Sequence, residues 1–186
     1  MARPRKHSPD QTVENLLKVF WSGGYDATAL SDIVAQTKLG KGSLYAAFGD
    51  KRAMFLRALA AYDAQYVDGA VALMTGLNGK EAIFAFLDLP AQAVESGDLR
   101  GCFLCNTTME TETLDAAARQ LAETSRNKLH AALVTAWSQQ SGDQNPIAAQ
   151  AAATQLLAFY FGLRVLARSG TSAEVLRTAV AGYQLP

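Results

Sequence analysis

Apolar positions recur every three or four residues along most of the chain, and glycine, proline and capping residues cut that pattern into helices of unequal length. Ser8 and Pro9 open the first: Ser8 can cap, Pro9 suits the first turn, and Gln11 stands where a capping box wants Glu or Gln. Val13, Leu16, Leu17 and Phe20 share one face, and Gly23-Gly24 ends the helix. A short helix follows, capped by Thr28 or Ser31, with Leu30, Ile33 and Val34 inward, and Gly40 breaks it. A second short helix runs from about Lys41 to Phe48, burying Leu44 and Phe48. Asp50 then caps a single long run reaching Met74, with Met54, Phe55, Ala58, Leu59, Tyr62 and Tyr66 on its faces.

The remaining pattern is also helical. Residues 79–95 form a helix bent at Pro90, 96–101 a loop, 102–110 a short helix, and Glu112 to about Gln140 a long amphipathic one. A further helix spans Pro146 to Ser169, and Thr171 to Glu174 is a capping box opening the last. No stretch alternates long enough to be a strand. The fold class is therefore all-α, with a three-helix domain over residues 1–50 and a larger helical domain over 51–186. The helix from Pro146 is apolar nearly all round, which a surface helix cannot be. Such a helix is either buried at the centre of a monomer or part of a dimer interface, and Leu156, Phe159, Tyr160 and Leu163 are expected at an interface made with the last helix.

Two short helices joined by a glycine-containing turn read as a helix-turn-helix, whose second helix enters the DNA major groove by its N-terminal residues. Beginning a short helix with Gly40-Lys41-Gly42 gives up helix stability, which makes sense if the backbone must approach a partner closely. Lys41, Ser43, Tyr45 and Lys51 would supply side-chain contacts around Gly42, Thr28 a hydroxyl for phosphate, and Arg3, Arg5 and Lys6 a basic arm. Charge agrees. The whole chain is formally neutral, yet residues 1–52 hold eight Lys/Arg against five Asp/Glu, so the first quarter is basic and the body acidic.

Residues 13–56 resemble the DNA-binding domain of tetracycline-repressor-type (TetR family) regulators, through Gly-Tyr-x-Ala-Thr after helix one, "LSDIVAQT", "KGSLYAAFGDK" and an apolar residue opening helix four. Beyond residue 57 the likeness is one of architecture, apart from "GCFLCNTTME" at Gly101 to Glu110. The resemblance implies a homodimeric, ligand-responsive regulator, a repressor on a palindromic operator, whose last two helices form the intersubunit bundle. Its middle helices would enclose a small-molecule effector that moves helix four and releases DNA. One departure is Ala46-Ala47, where many relatives carry a histidine or another polar or aromatic residue; alanine can meet a thymine methyl but donates nothing to a base edge.

The apolar and aromatic set Tyr62, Tyr66, Phe84, Leu87, Phe103, Met109 and Trp137 is chiefly core, and part of it can line a pocket with Asn106, Thr107 and Glu110 as polar groups. Cys102 and Cys105 form a C-x-x-C at a helix start, which opens an alternative: a redox- or electrophile-sensing regulator, or a thiol oxidoreductase. The βαβ pattern of a thioredoxin-type enzyme is absent, and a zinc site would need more Cys or His than His7 and His130 offer. No phosphate-binding, metalloprotease or Ser/His/Asp pattern is present, so neither an enzyme, a metal nor a cofactor is expected. The basic start lacks a secretory apolar stretch, and the uncharged run from Ile147 to Leu163 falls short of a span, which leaves a cytoplasmic protein as the expectation.

Overall fold

A computed structural model describes residues 8–110, 116–142 and 145–185, and every regular element among them is helical. The N-terminal elements are α1 (Pro9–Gly23), α2 (Leu30–Thr37), α3 (Lys41–Phe48) and α4 (Lys51–Tyr62). A π-helical turn, Asp63–Val67, separates α4 from α5 (Asp68–Thr75). The body continues with α6 (Gly79–Glu95), α7 (Phe103–Met109), α8 (Ala116–Ser141), α9 (Pro146–Arg168) and α10 (Ala173–Ala181). No helix among the described residues is long and apolar enough to cross a membrane.

The caps follow local chemistry, with three departures. Ser8 Oγ accepts the Gln11 N–H at 3.1 Å and Asp50 Oδ1 the Ala53 N–H at 2.7 Å, as expected. Gln11, however, turns its side chain to Glu14. Neither Thr28 nor Ser31 caps α2: Ala29 holds that position, and Asp32 reaches back to accept its N–H at 2.8 Å. Ser172 rather than Thr171 caps α10. The expected single run after Asp50 is broken by the π turn, where Tyr62 and Tyr66 stack at 5.0 Å. There Lys128 of α8 binds Asp63 at 2.6 Å and Asp68 at 2.8 Å, pinning both ends of the turn to the body.

α1 packs along α4, and the head joins the body through aromatic rings. Trp21 lies edge-on to Tyr62 and Tyr66 and stacks on Phe103, while Phe55 meets Phe20, Tyr25 and Phe103 edge-on. Such contacts add about 0.5–1.5 kcal/mol each beyond the buried area, which favours the head and body moving as coupled units. The segment from Arg100 to Glu110 completes the joint. Arg100 covers the Trp21 ring at 3.7 Å, and Glu110 Oε2 accepts the Tyr25 N–H at 2.7 Å. Gly24 is required here: its φ is +77°, and a Cβ would lie 2.0 Å from Glu110 Oε1.

The expected dimer set is corrected by burial. Leu156, Tyr160 and Leu163 point into the chain's own core, and Phe159 stacks on Tyr183 of the C-terminal end at 4.2 Å. The opposite face of α9 is the exposed one, with Ile147, Ala151, Ala158, Gly162, Val165 and Leu166 on it, and Val175 of α10 is exposed nearby in sequence. An apolar helix surface has two sides, and sequence periodicity did not say which one the body claims.

Candidate nucleic-acid interface and body cavity

α3 stands on one buried residue. Leu44 is fully buried, whereas Lys41, Gly42, Ser43, Tyr45, Ala46 and Ala47 are exposed, Tyr45 at 41%. The turn before α3 is made differently from the sequence expectation: Lys38, with φ 58°, takes the left-handed position and its N–H closes on Val34 O. Gly40 has φ −65°, a conformation open to any residue, and nothing lies within 4 Å of a Cβ built on Gly40 or Gly42. Neither glycine is demanded by its own chain. Gly42, inside the helix, gives up helix stability for open space that leaves room for close approach from outside.

Other expected contacts are placed less uniformly. Lys41 Nζ lies 5.9 Å from the Tyr45 ring centre, so the two extend together from the start of α3. Lys51 Nζ rests 4.7 Å from the Tyr25 ring centre and donates to Asp26 O at 3.5 Å. Thr28 departs from the expectation: it is 2% exposed and its hydroxyl donates inward to Gly24 O at 2.6 Å, so it braces the loop after α1. Arg3, Arg5 and Lys6 lie outside the described residues.

A cavity of about 690 Å³ lies in the body, walled by Tyr62, Tyr66, Leu89, Leu129 and Tyr160, with Arg100, Cys102 and Arg164 among its polar groups. Arg164 is 6% exposed; its Nη2 donates to Gly101 O at 2.9 Å and its Nε has no hydrogen-bond partner. The same Gly101 carbonyl accepts Trp21 Nε1–H at 3.3 Å. Tyr62 Oη donates to Cys102 Sγ at 3.6 Å. The neighbouring Cys105 thiol holds the Cys102 thiol below its ordinary range, with Arg164 and Tyr62 assisting, and this outweighs burial. Cys105 is pushed the other way by Cys102 and burial, and Tyr62 is raised by burial and then by Cys102. Cys105 faces a separate cleft of about 330 Å³ with Arg126 and Phe161.

Residues 14–58 match the family described as bacterial regulatory proteins, tetR family, a stretch running from within α1 through α2 and α3 into α4. The match covers the two short helices and their flanks. Residues 14–58 are a TetR-family DNA-binding region. The chain is 27% identical over 175 residues to the HTH-type transcriptional repressor BdcR of Escherichia coli K12, covering 94% of this chain and 86% of that one. It is 29% identical over 120 residues to the HTH-type transcriptional repressor ComR of the same organism, covering 62% of this chain and 57% of ComR. The fold matches a cysteine-substituted TetR family regulator, CifR, complexed with 26-base-pair double-strand operator DNA, at a TM-score of 0.81 and 22% identity, over 98% of this chain and 100% of that one. The chain is thus placed with DNA-binding regulators, and its relatives are regulators rather than enzymes.

Of the pocket residues expected from sequence, Tyr62 and Tyr66 line the cavity of about 690 Å³. The others have different partners. Phe103 and Trp137 are buried outside the cavity wall, and Phe84 lies under Lys80. Asn106 donates to Arg100 O at 3.1 Å, Glu110 serves Tyr25, and Thr107 is buried with its hydroxyl unpaired. Arg164, Arg100 and Tyr160 were missed as cavity residues. A signal for Arg164 existed: it is the first charge after eighteen uncharged residues of α9, counted from Pro146 to Leu163.

Proposed function

We propose that the chain is a cytoplasmic, ligand-responsive transcriptional repressor that binds a palindromic operator as a homodimer and leaves it when a small molecule fills the body cavity. The observation that carries the DNA reading is α3, whose exposed start bears two glycines with free space around them beside Lys41, Ser43 and Tyr45. Residues 1–50 form the reading head, and α4 transmits the state of the 51–186 body to it. Homodimer formation uses the outward face of α9 around Ala158 and Gly162, with α10, and two-fold symmetry sets the two α3 helices about one DNA turn, roughly 34–36 Å, apart. The response is a population shift: the effector must bind the DNA-incompetent arrangement more tightly than the competent one.

Binding to a retained genomic fragment tests this directly. Tyr45→Ala and Lys41→Ala should each weaken binding with helicity and dimerisation intact, and loss of a phosphate contact at Lys41 should flatten the log-log salt slope by about 0.9. Lys51→Ala, whose ammonium must leave Tyr25 to reach a phosphate, should act in the same direction. Unchanged affinity in all three proteins would remove α3 as the reading helix.

A second reading is favoured by the Cys102–Cys105 pair, because Cys102 lines the cavity and adjoins Gly101, which bonds Trp21 of the head. In this reading peroxide oxidises the Cys102 thiolate to a sulfenic acid, Cys105 displaces water to form the disulfide, and the joint at Gly101 shifts. It predicts that peroxide weakens DNA binding, that a thiol reductant restores it, and that the double Cys→Ser protein ignores peroxide. Peroxide-insensitive binding by the wild type would refute it.

A further inference from the structure

We propose that the body cavity binds a small organic anion, a carboxylate carried on an aromatic or aliphatic frame, and that Arg164 recognises the charge. The inference rests on the reading of the chain as ligand-responsive and names the class of ligand. A guanidinium stays charged in any protein setting, and burying it without a counter-charge is costly. Arg164 is 6% exposed, spends one N–H on Gly101 O, and leaves its Nε–H without an acceptor. The nearby carboxylate in the cavity wall, Asp98, is already committed: it accepts from Arg100 Nε and Nη2 at 2.8 Å each and from the Arg100 backbone N–H at 3.1 Å. No ion pair to Arg164 occurs among the described residues.

The wall therefore carries two guanidinium groups against one carboxylate, and a guanidinium is the side chain whose planar set of N–H donors matches a carboxylate. The remainder of the wall suits an apolar frame. Tyr62, Tyr160, Leu89 and Leu129 offer rings and methyl groups, and about 690 Å³ lies within the range of small-molecule sites. The capture would be felt at the DNA head, since Gly101 O bonds both Arg164 and Trp21. Cys102 lines the same wall, and its ionised form could answer the same cation, so its contribution has to be separated in the test.

The experiment uses the full-length protein with three matched pairs of probes, benzoate and benzamide, phenylacetate and phenylacetamide, hexanoate and hexanamide, at concentrations up to millimolar. Binding is read from Trp21 fluorescence in a Trp137→Phe background and from the thermal midpoint, at low and moderate salt. At least one carboxylate should bind about tenfold or more tightly than its amide, as a charge-assisted pair requires. Arg164→Gln should abolish that preference, Arg164→Lys should keep part of it, and Cys102→Ser should retain it. Equal binding of acids and amides, binding by no carboxylate, a preference surviving in Arg164→Gln, or a preference lost in Cys102→Ser would each overturn the proposal. The wild-type comparison stands even if an Arg164 variant fails to fold. DNA binding measured in parallel separates the two readings: a bound carboxylate that leaves operator affinity unchanged supports the anion site and removes the ligand-responsive function. Release by a neutral effector that ignores Arg164 does the reverse.

Discussion

Gly42→Ala should make the protein more stable and worse at its task. Position 42 is the second residue of α3, its surroundings are open, and an added Cβ meets nothing within 4 Å, so the substitution brings no clash within the chain. The gain is the difference in helix preference, about 0.5–1 kcal/mol in a helix interior and less near its end. At about 2–4 °C per kcal/mol for a chain of this size, the thermal midpoint should rise, by less than about 4 °C. If the glycine is there for close approach, operator affinity should fall by about tenfold or more, equivalent to about 1.4 kcal/mol. Thermal unfolding by circular dichroism and fluorescence anisotropy on a labelled operator give the two numbers on one preparation. Gly24→Ala is the contrast, since φ +77° and the Glu110 carboxylate make it destabilising. A Gly42→Ala protein that is more stable and binds DNA as tightly as wild type would refute the close-approach argument.

Other consequences follow from ion pairs, thiols and the outer face of α9. Arg177 of α10 holds Asp88 of α6 at 2.9 Å and also binds Glu95. Burial pushes the Asp88 carboxyl up, but the bonds from Arg177 and Gln92 prevail and leave it below its usual value. The stabilisation is thus present above the unfolded carboxylate pKa of about 3.9 and is lost as pH falls through the lower folded value. Arg177→Gln should flatten that acid limb in a pH series of denaturation midpoints, and an unchanged limb would contradict the clamp. Cys102, held below the ordinary thiol range, should alkylate with a pH midpoint below about 8.5, while Cys105 reacts only at higher pH; mass spectrometry of the two labelled positions in the wild-type protein, where both thiols are present, checks the order. Gly162→Glu, on the exposed face of α9, should shift the protein toward monomer in sedimentation with its helicity kept, whereas Leu156→Ala should chiefly lower stability.

Helix existence was legible because glycine, proline and caps punctuate a strong 3.6-residue pattern, and the helix-turn-helix was legible because its two short helices carry distinctive motifs. What escaped the sequence was direction. Periodicity marked α9 as apolar all round but could not tell that Leu156 and Tyr160 serve the core while Ala158 and Gly162 face outward. Thr28 read as a phosphate ligand because hydroxyls suit phosphates, yet its short side chain finds the Gly24 carbonyl one turn away. The cavity was half legible: Tyr62 and Tyr66 were found as aromatic residues, and Arg164 was passed over because an arginine in a helix is ordinarily on the surface. The π turn after Tyr62 has no local signature, and Lys128, which holds both of its ends, reaches it from the distant α8.

The central claim is that α3 reads a two-fold operator. Purified protein, reduced and at moderate salt, should be mixed with pooled genomic fragments, and the retained DNA sequenced. The account predicts enrichment of a palindromic site with half-sites about one helical turn apart, lost with Tyr45→Ala. Retention that is independent of sequence and vanishes as salt rises would contradict it.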